Sequence, residues 1–281
     1  MYYLYLNSMP TKKAAEDTVN SNPNTLVILL IIFAFFTGYL FFKVQTLEKG
    51  KTANTEQPTQ GVQQQQQEKT TVNINEVKKL FSKGFIYFGD AKRKALVVEF
   101  TDPSCPYCHI ASGSNPELAG QAGEQFKYVS QGGNYNPPTS EIKKLLDQKK
   151  ISYAVIYENG HGNGELAMQA LYCAYEKNKF WEVHNLIYSN AGYELINNTV
   201  KNDKTQIPQL VSFLSNVIDS NFLSDCLTNG KYSKSVSRDN QEIAPKLVTP
   251  GTPAYIVNEN IVSGAQDFKQ SVESLINNAL K

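Results

Sequence analysis

The sequence predicts an α/β domain in which a small sheet is interrupted by one all-helical block. Three observations carry this. The runs Lys94–Thr101 and Ile151–Tyr157 are short, apolar and rich in β-branched residues, as strands buried on both faces are. From Glu165 to about Asn229 the apolar spacing changes to that of helices. Ala254–Val257 and Ile261–Val262, either side of Asn258-Glu259-Asn260, then read as two short strands about a turn.

The remaining elements follow in order. Asn73–Ser82 reads as a short helix with Val77, Leu80 and Phe81 on one side, and Phe85–Phe88 as a strand ending at Gly89-Asp90. Residues 113–150 are broken by Gly and Pro, and Pro116 is expected to kink the first helix. Asn159–Gly164 is glycine-rich but lacks the Lys-Ser/Thr ending of a phosphate loop, so a flexible turn is expected. In the helical block, Leu166, Ala170, Cys173 and Ala174 make one apolar face. Trp181, Val183, Leu186 and Ile187 make a second, and Leu210, Phe213, Leu214, Val217 and Ile218 a third. Phe268–Leu280 closes the chain as one amphipathic helix.

A length of 281 residues allows a domain of about 200 residues with appendages. The formal net charge of +1 and the lack of a basic block exclude a nucleic-acid-coating protein. Residues 26–42 are apolar and uncharged, long enough to cross a hydrocarbon core of about 30 Å, and end without a small-x-small cleavage site. An uncleaved transmembrane anchor is expected there, after a tail over 1–25. Lys12 and Lys13 before it and Lys43, Lys49 and Lys51 after it leave its orientation open. Residues 43–72, with five glutamines from Gln63 to Gln67, hold too few apolar side chains to fold and read as a linker reaching roughly 30 Å. The folded domain is then 73–281, with its helical insertion at about 164–247.

Cys105-Pro106-Tyr107-Cys108 directly follows the strand ending at Thr101. Proline suits the first helical position, which places Cys105 at the N-cap, where free N–H groups and the helix dipole favour thiolate over thiol. Cys108, one turn inside, is placed to close a disulfide with it. The expected reading is a redox dithiol. Two others remain at this stage: c-type haem attachment, because Cys105 to His109 spells C-x-x-C-H, and a zinc site completed by His109, His161, Cys173 or His184. A strand before the motif, Met168 on an apolar helix face and the absence of a second tight ligand pair weigh against both.

Together, Gly89-Asp90-Ala91, Val97-Val98-Glu99-Phe100-Thr101-Asp102, Cys105–Cys108, Lys179–His184 and Gly251-Thr252-Pro253-Ala254 resemble the DsbA-like thiol-disulfide oxidoreductases. They come in that family's order, over about residues 73–281. The resemblance implies a thioredoxin-like fold with an all-helical insertion, acting outside the cytoplasmic membrane. The anchor would run N-terminus in, leaving the domain on the periplasmic or extracellular face.

It implies Cys105 as nucleophile, Cys108 as resolving cysteine, Pro253 as a cis-proline preceded by Thr252, and Glu99 as a buried acid assisting proton transfer. Pro106 and Tyr107 would join Thr252 and Pro253 in contacting substrate. His109 reads either as a cation favouring the thiolate or as a helix-surface residue. Trp181 and His184 read as core and capping residues of the insertion. In an oxidising compartment Cys173 and Cys226 form a structural disulfide, the alternative being two buried free thiols. The expected activity is oxidation of exported, unfolded thiol proteins by a monomer, without metal or other cofactor. A quinone-linked membrane partner would reoxidise it, and isomerase or reductase are the alternatives.

Overall fold

The structure is a computed structural model describing residues 71–247 and 251–281. The expected tail, the anchor over 26–42 and all but the last two linker residues lie outside these. Among the described residues no helix is long and apolar enough to cross a membrane.

Pairing begins earlier than the sequence suggests, with Thr71 bridging Asn260 and the Val72 N–H donating to the Glu259 carbonyl. Helix α1 (Ile74–Lys79) is capped by the Asn73 side chain, which accepts from the Asn75 N–H at 2.9 Å. Strands β1 (Ile86–Phe88) and β2 (Ala95–Thr101) follow, then helices α2 (Pro106–Ser112), α3 (Pro116–Gln121) and α4 (Pro138–Asp147), and strand β3 (Ile151–Tyr157). The helical insertion contains α5 (Glu165–Glu176), α6 (Phe180–Ile187), α7 (Asn190–Glu194), α8 (Ile207–Leu214), α9 (Ser220–Thr228) and α10 (Ser233–Arg238). The chain ends in β4 (Ala254–Val257), β5 (Asn260–Ser263), α11 (Phe268–Ser271) and α12 (Glu273–Leu280).

The five strands lie in the order β1-β3-β2-β4-β5, with β2 and β3 parallel and every other pair antiparallel. A parallel pair needs a long crossover, which residues 102–150 supply. Every residue of β2 and β3 is buried because the sheet is covered on both faces. Leu96, Val98 and Phe100 pack with Val77 of α1 and with Leu80 at its C-cap, while Val97 belongs to the larger core formed with the insertion. Each such side chain contributes about 1.5–3 kcal/mol of transfer free energy, which lets the strand carry Glu99 in its middle.

Two local expectations are corrected. The first helix does not kink at Pro116 but ends before it, at Gly113: Gly113 has φ +80°, and a Cβ there would lie 2.9 Å from the Ser140 Cβ. Pro116 instead opens α3, capped by Asn115, whose side chain accepts from the Leu118 N–H at 3.0 Å. The closing helix is two helices, broken at Val272, with the Asp267 side chain capping the first.

Within the insertion, Cys173 of α5 and Cys226 of α9 are joined by a disulfide with an S–S distance of 2.07 Å, and both are buried.

Candidate active site: a buried dithiol

The backbone turns sharply where β2 ends. Asp102 controls that turn: its carbonyl accepts from the Cys105 N–H at 2.9 Å, and its Oδ1 from the Ser104 N–H at 2.8 Å and the Ser104 Oγ at 2.7 Å. Cys105 is thereby the N-cap of α2 with extended backbone, and Pro106 holds the first helical position, where no N–H is missed. On the neighbouring strand, Phe100 pairs with Ala254, so the Thr252–Pro253 peptide, which is cis, is brought to the same end of the sheet. The Cys105 Sγ lies 3.4 Å from the Thr252 carbonyl oxygen and donates to it as a thiol. The Cys108 Sγ accepts from the Asp102 N–H at 3.5 Å.

The two sulfurs are driven apart electrostatically. Cys105 is lowered from 9.0 to about 6, chiefly by a hydrogen bond from Cys108, against the opposing effect of burial. The Thr252 side chain, the Cys108 N–H and the charge of His161 add to the lowering. Cys108 is raised well above 9.0 by burial and by the thiolate it faces. One thiol is thus an activated nucleophile and a good leaving group, while the other holds its proton.

Glu99 lies on the face of β2 turned toward the insertion core. It is 2% exposed, and burial raises its carboxyl from 4.5 to about 7. Its Oε2 accepts from the Tyr153 hydroxyl and, at 2.8 Å, from the Thr139 Oγ1, which is itself 2.9 Å from the Tyr255 hydroxyl. Thr139 stands in the first turn of α4, so the irregular segment 113–137 ends by delivering a hydroxyl to this carboxyl.

The glycine-rich segment 159–164 is pinned rather than flexible. The Gly160 and His161 N–H groups each donate to Asp102 Oδ2 at 2.8 Å, and the Asn163 N–H to Ser104 Oγ at 3.2 Å. Its glycines permit the approach: a Cβ on Gly164 would fall 1.8 Å from Asp102 Oδ1, and one on Gly160 would fall 2.3 Å from Thr252 Oγ1. The segment therefore forms a wall beside the dithiol, carrying His161 on its exposed side.

His109 is not a surface residue. It is fully buried, with Nε2 2.8 Å from the Pro103 carbonyl oxygen and Nδ1 3.0 Å from that of Tyr188. Burial holds the ring neutral, lowering it to about 4, although both nitrogens face carbonyls. With both nitrogens turned to backbone, it offers none to a haem iron. Among the described residues no group of three or more His, Cys, Asp or Glu is placed to hold a metal ion. Of the remaining candidates, Tyr107 is 48% exposed at the mouth of the site and stands 5.7 Å from the Phe126 ring, while Pro106 is half-buried. Trp181 and His184 are core residues: Trp181 stacks on Tyr153 at 5.9 Å, and His184 is buried.

Sequence reasoning missed the roles of Asp102, Thr101, Thr139 and Tyr188, and named His161 only as a zinc ligand. Asp102 reads only as a strand terminator; its Asp-Pro-Ser context is a signal for a side-chain-capped turn. Thr139, Tyr188 and His161 are brought in from distant segments and carry no local signal.

A β-α-β core with a dithiol at a helix N-terminus, faced by a cis-proline on the adjacent strand, defines the thioredoxin-like fold. The family model described as thioredoxin matches residues 139–278, a region that begins after the dithiol and includes the insertion and Pro253. A Rickettsia conorii protein whose name assigns it to the protein-disulfide oxidoreductases is 24% identical over 188 residues, 66% of this chain and 56% of its own length. A Rickettsia felis protein of the same name is 24% identical over 190 residues, with the same coverage. The chain thus spans little more than half the length of these curated relatives. Among solved structures, oxidised BdbD from Bacillus subtilis superposes with a TM-score of 0.51 at 17% identity, covering 70% of this chain and 94% of that one. Wolbachia pipientis α-DsbA1 gives 0.52 at 16% identity, covering 73% and 98%.

Proposed function

We propose that this protein is a thiol-disulfide oxidoreductase of the DsbA type, acting through Cys105 and Cys108 as a dithiol oxidase of exported chains. The observation that carries the reading is the placement of Cys105 at the N-cap of α2, its Sγ 3.4 Å from the Thr252 carbonyl oxygen and Cys108 buried one turn inside. The names of the relatives support the same chemistry.

In the oxidised protein a substrate thiolate attacks the Cys105 Sγ. The Cys105–Cys108 bond breaks, its electron pair goes to Cys108, and a mixed disulfide with Cys105 forms. A second substrate thiolate attacks the substrate sulfur of that bond, leaving the substrate oxidised and Cys105 as the stable thiolate. A leaving group lowered to about 6 favours release of Cys105 from the mixed disulfide. Pro253 and Thr252 offer backbone to an extended substrate, with Tyr107 and Pro106 at the mouth and Glu99 exchanging the proton of Cys108. The apolar run 26–42 supports a single-pass anchor, and the family resemblance puts its N-terminus inside and the domain on the outer face of the cytoplasmic membrane. Unfolded thiol proteins are its substrates, a quinone-linked membrane protein its reoxidant, and the working unit is a monomer.

The deciding measurement is the reduction potential of the Cys105–Cys108 couple in glutathione buffers. A value toward about −120 mV is expected of an oxidase. A value near about −270 mV, that of thioredoxin, would make the protein a reductant and overturn the direction proposed.

A further inference from the structure

Both Cys108 and Glu99 are sealed from solvent, at 0% and 2% exposure, so a proton moving between them needs a carrier inside the protein. Thr101 is the polar side chain placed to be that carrier. Residues 99 and 101 point to the same face of β2, roughly 7 Å apart along the strand. The next residue, Asp102, gives its N–H to Cys108 Sγ at 3.5 Å, which sets the end of the strand against the sulfur. Thr101 is 2% exposed, its Oγ1 is 2.7 Å from the Tyr188 hydroxyl, and its side chain favours the charged form of both Glu99 and Cys108. A hydroxyl donates one proton while accepting others, so it conducts a proton without leaving its position. Tyr188, fully buried on α6's C-terminal flank, fixes the rotamer.

We propose that the Thr101 hydroxyl, braced by Tyr188, relays the proton between Cys108 and Glu99. The proposal rests on the thiol-exchange reading above. When a substrate thiolate opens the disulfide, the electron pair arrives on Cys108. Thr101 gives its proton to that sulfur and takes one from the Glu99 carboxyl in the same movement, leaving Glu99 as carboxylate. On reoxidation the Cys108 proton travels back by the same hydroxyl as the disulfide reforms. Glu99 shuttles one proton per half-cycle, and Thr101 is unchanged at the end of each.

The test is single-turnover reduction of the Cys105–Cys108 disulfide in the full chain by excess dithiothreitol, acid-quenched and counted by alkylation and mass. Thr101→Val, which keeps the shape and removes the hydroxyl, is expected to slow reduction roughly tenfold, and Thr101→Ser to restore most of the rate. Glu99→Gln is expected to slow it by a similar factor. The double variant should be no slower than the slower single one, because both changes cut the same path. A Thr101→Val protein that reacts at the unmodified rate, or single effects that multiply in the double variant, overturns the relay. Thr101→Ala repeats the deletion if the valine does not fold. Failure of the unmodified chain to exchange with dithiothreitol would overturn the functional reading itself, a result distinct from loss of the relay alone.

Discussion

Glu99 sits under two opposed demands. Burial penalises its charge, while hydroxyls from Tyr153 and Thr139 partly solvate it, and burial prevails. Its folded value of about 7 exceeds the model-compound value of 4.5, so the folded chain holds a proton that the unfolded chain has released. The contribution of protonated Glu99 to stability is therefore complete below about pH 4.5 and is lost as pH rises through about 7. Glu99→Gln removes that dependence and, above pH 7, stabilises the protein by up to roughly 3 kcal/mol. Urea midpoints at acid and mildly alkaline pH check this: the variant should gain only on the alkaline side, and an equal effect at both pH values would refute it. At this scale the sequence was partly legible. Cys105 and Cys108 stand in a pattern whose chemistry is local, while Glu99 and Pro253 are legible only through the family resemblance. Asp102, Thr139 and His161 gain their surroundings only when three separate segments converge, and His109, next to a charged-looking motif, is taken inside by Tyr188 and Pro103 carbonyls that no local pattern announces.

Among the elements, α5 and α9 are tied by Cys173–Cys226 across a sequence separation of 53. Closing a loop of that length removes chain entropy worth about 4 kcal/mol from the unfolded state in the polymer estimate. The Cys173→Ala, Cys226→Ala double variant should lose about 2–4 kcal/mol, seen as a lower Tm under oxidising conditions and no further loss on adding reductant. An unchanged Tm would mean the helices hold without the bond. Strands β2 and β3 and the helices of the insertion follow directly from apolar runs and spacing, because each is buried in a way its own residues dictate. The segment 113–137 does not. Its course is set by Gly113 against Ser140 and by the Tyr128 hydroxyl reaching the Ile110 and Asn115 carbonyls, contacts that periodicity cannot express.

Across the whole domain, the dithiol and the first described residues, Thr71 and Val72, lie at opposite ends of β2. Cys105 follows its last residue. At its first residues, the Leu96 N–H pairs with the Asn258 side chain, and Val72 and Thr71 attach at Glu259 and Asn260. A seven-residue strand separates them by about 20 Å.

The buried Cys173–Cys226 bond also places this protein among the clients of its proposed chemistry. Under that proposal a newly made copy carries two thiols that a mature, oxidised copy joins, and an outside disulfide reoxidises Cys105 and Cys108 after each exchange. Reduced, unfolded chain returned to native buffer containing oxidised glutathione, with trace oxidised protein, should regain structure with a shortened lag, whereas seeding with a Cys105→Ala protein should leave the lag unchanged. The first copies would then depend on whatever oxidant the surroundings offer, and later ones on their predecessors.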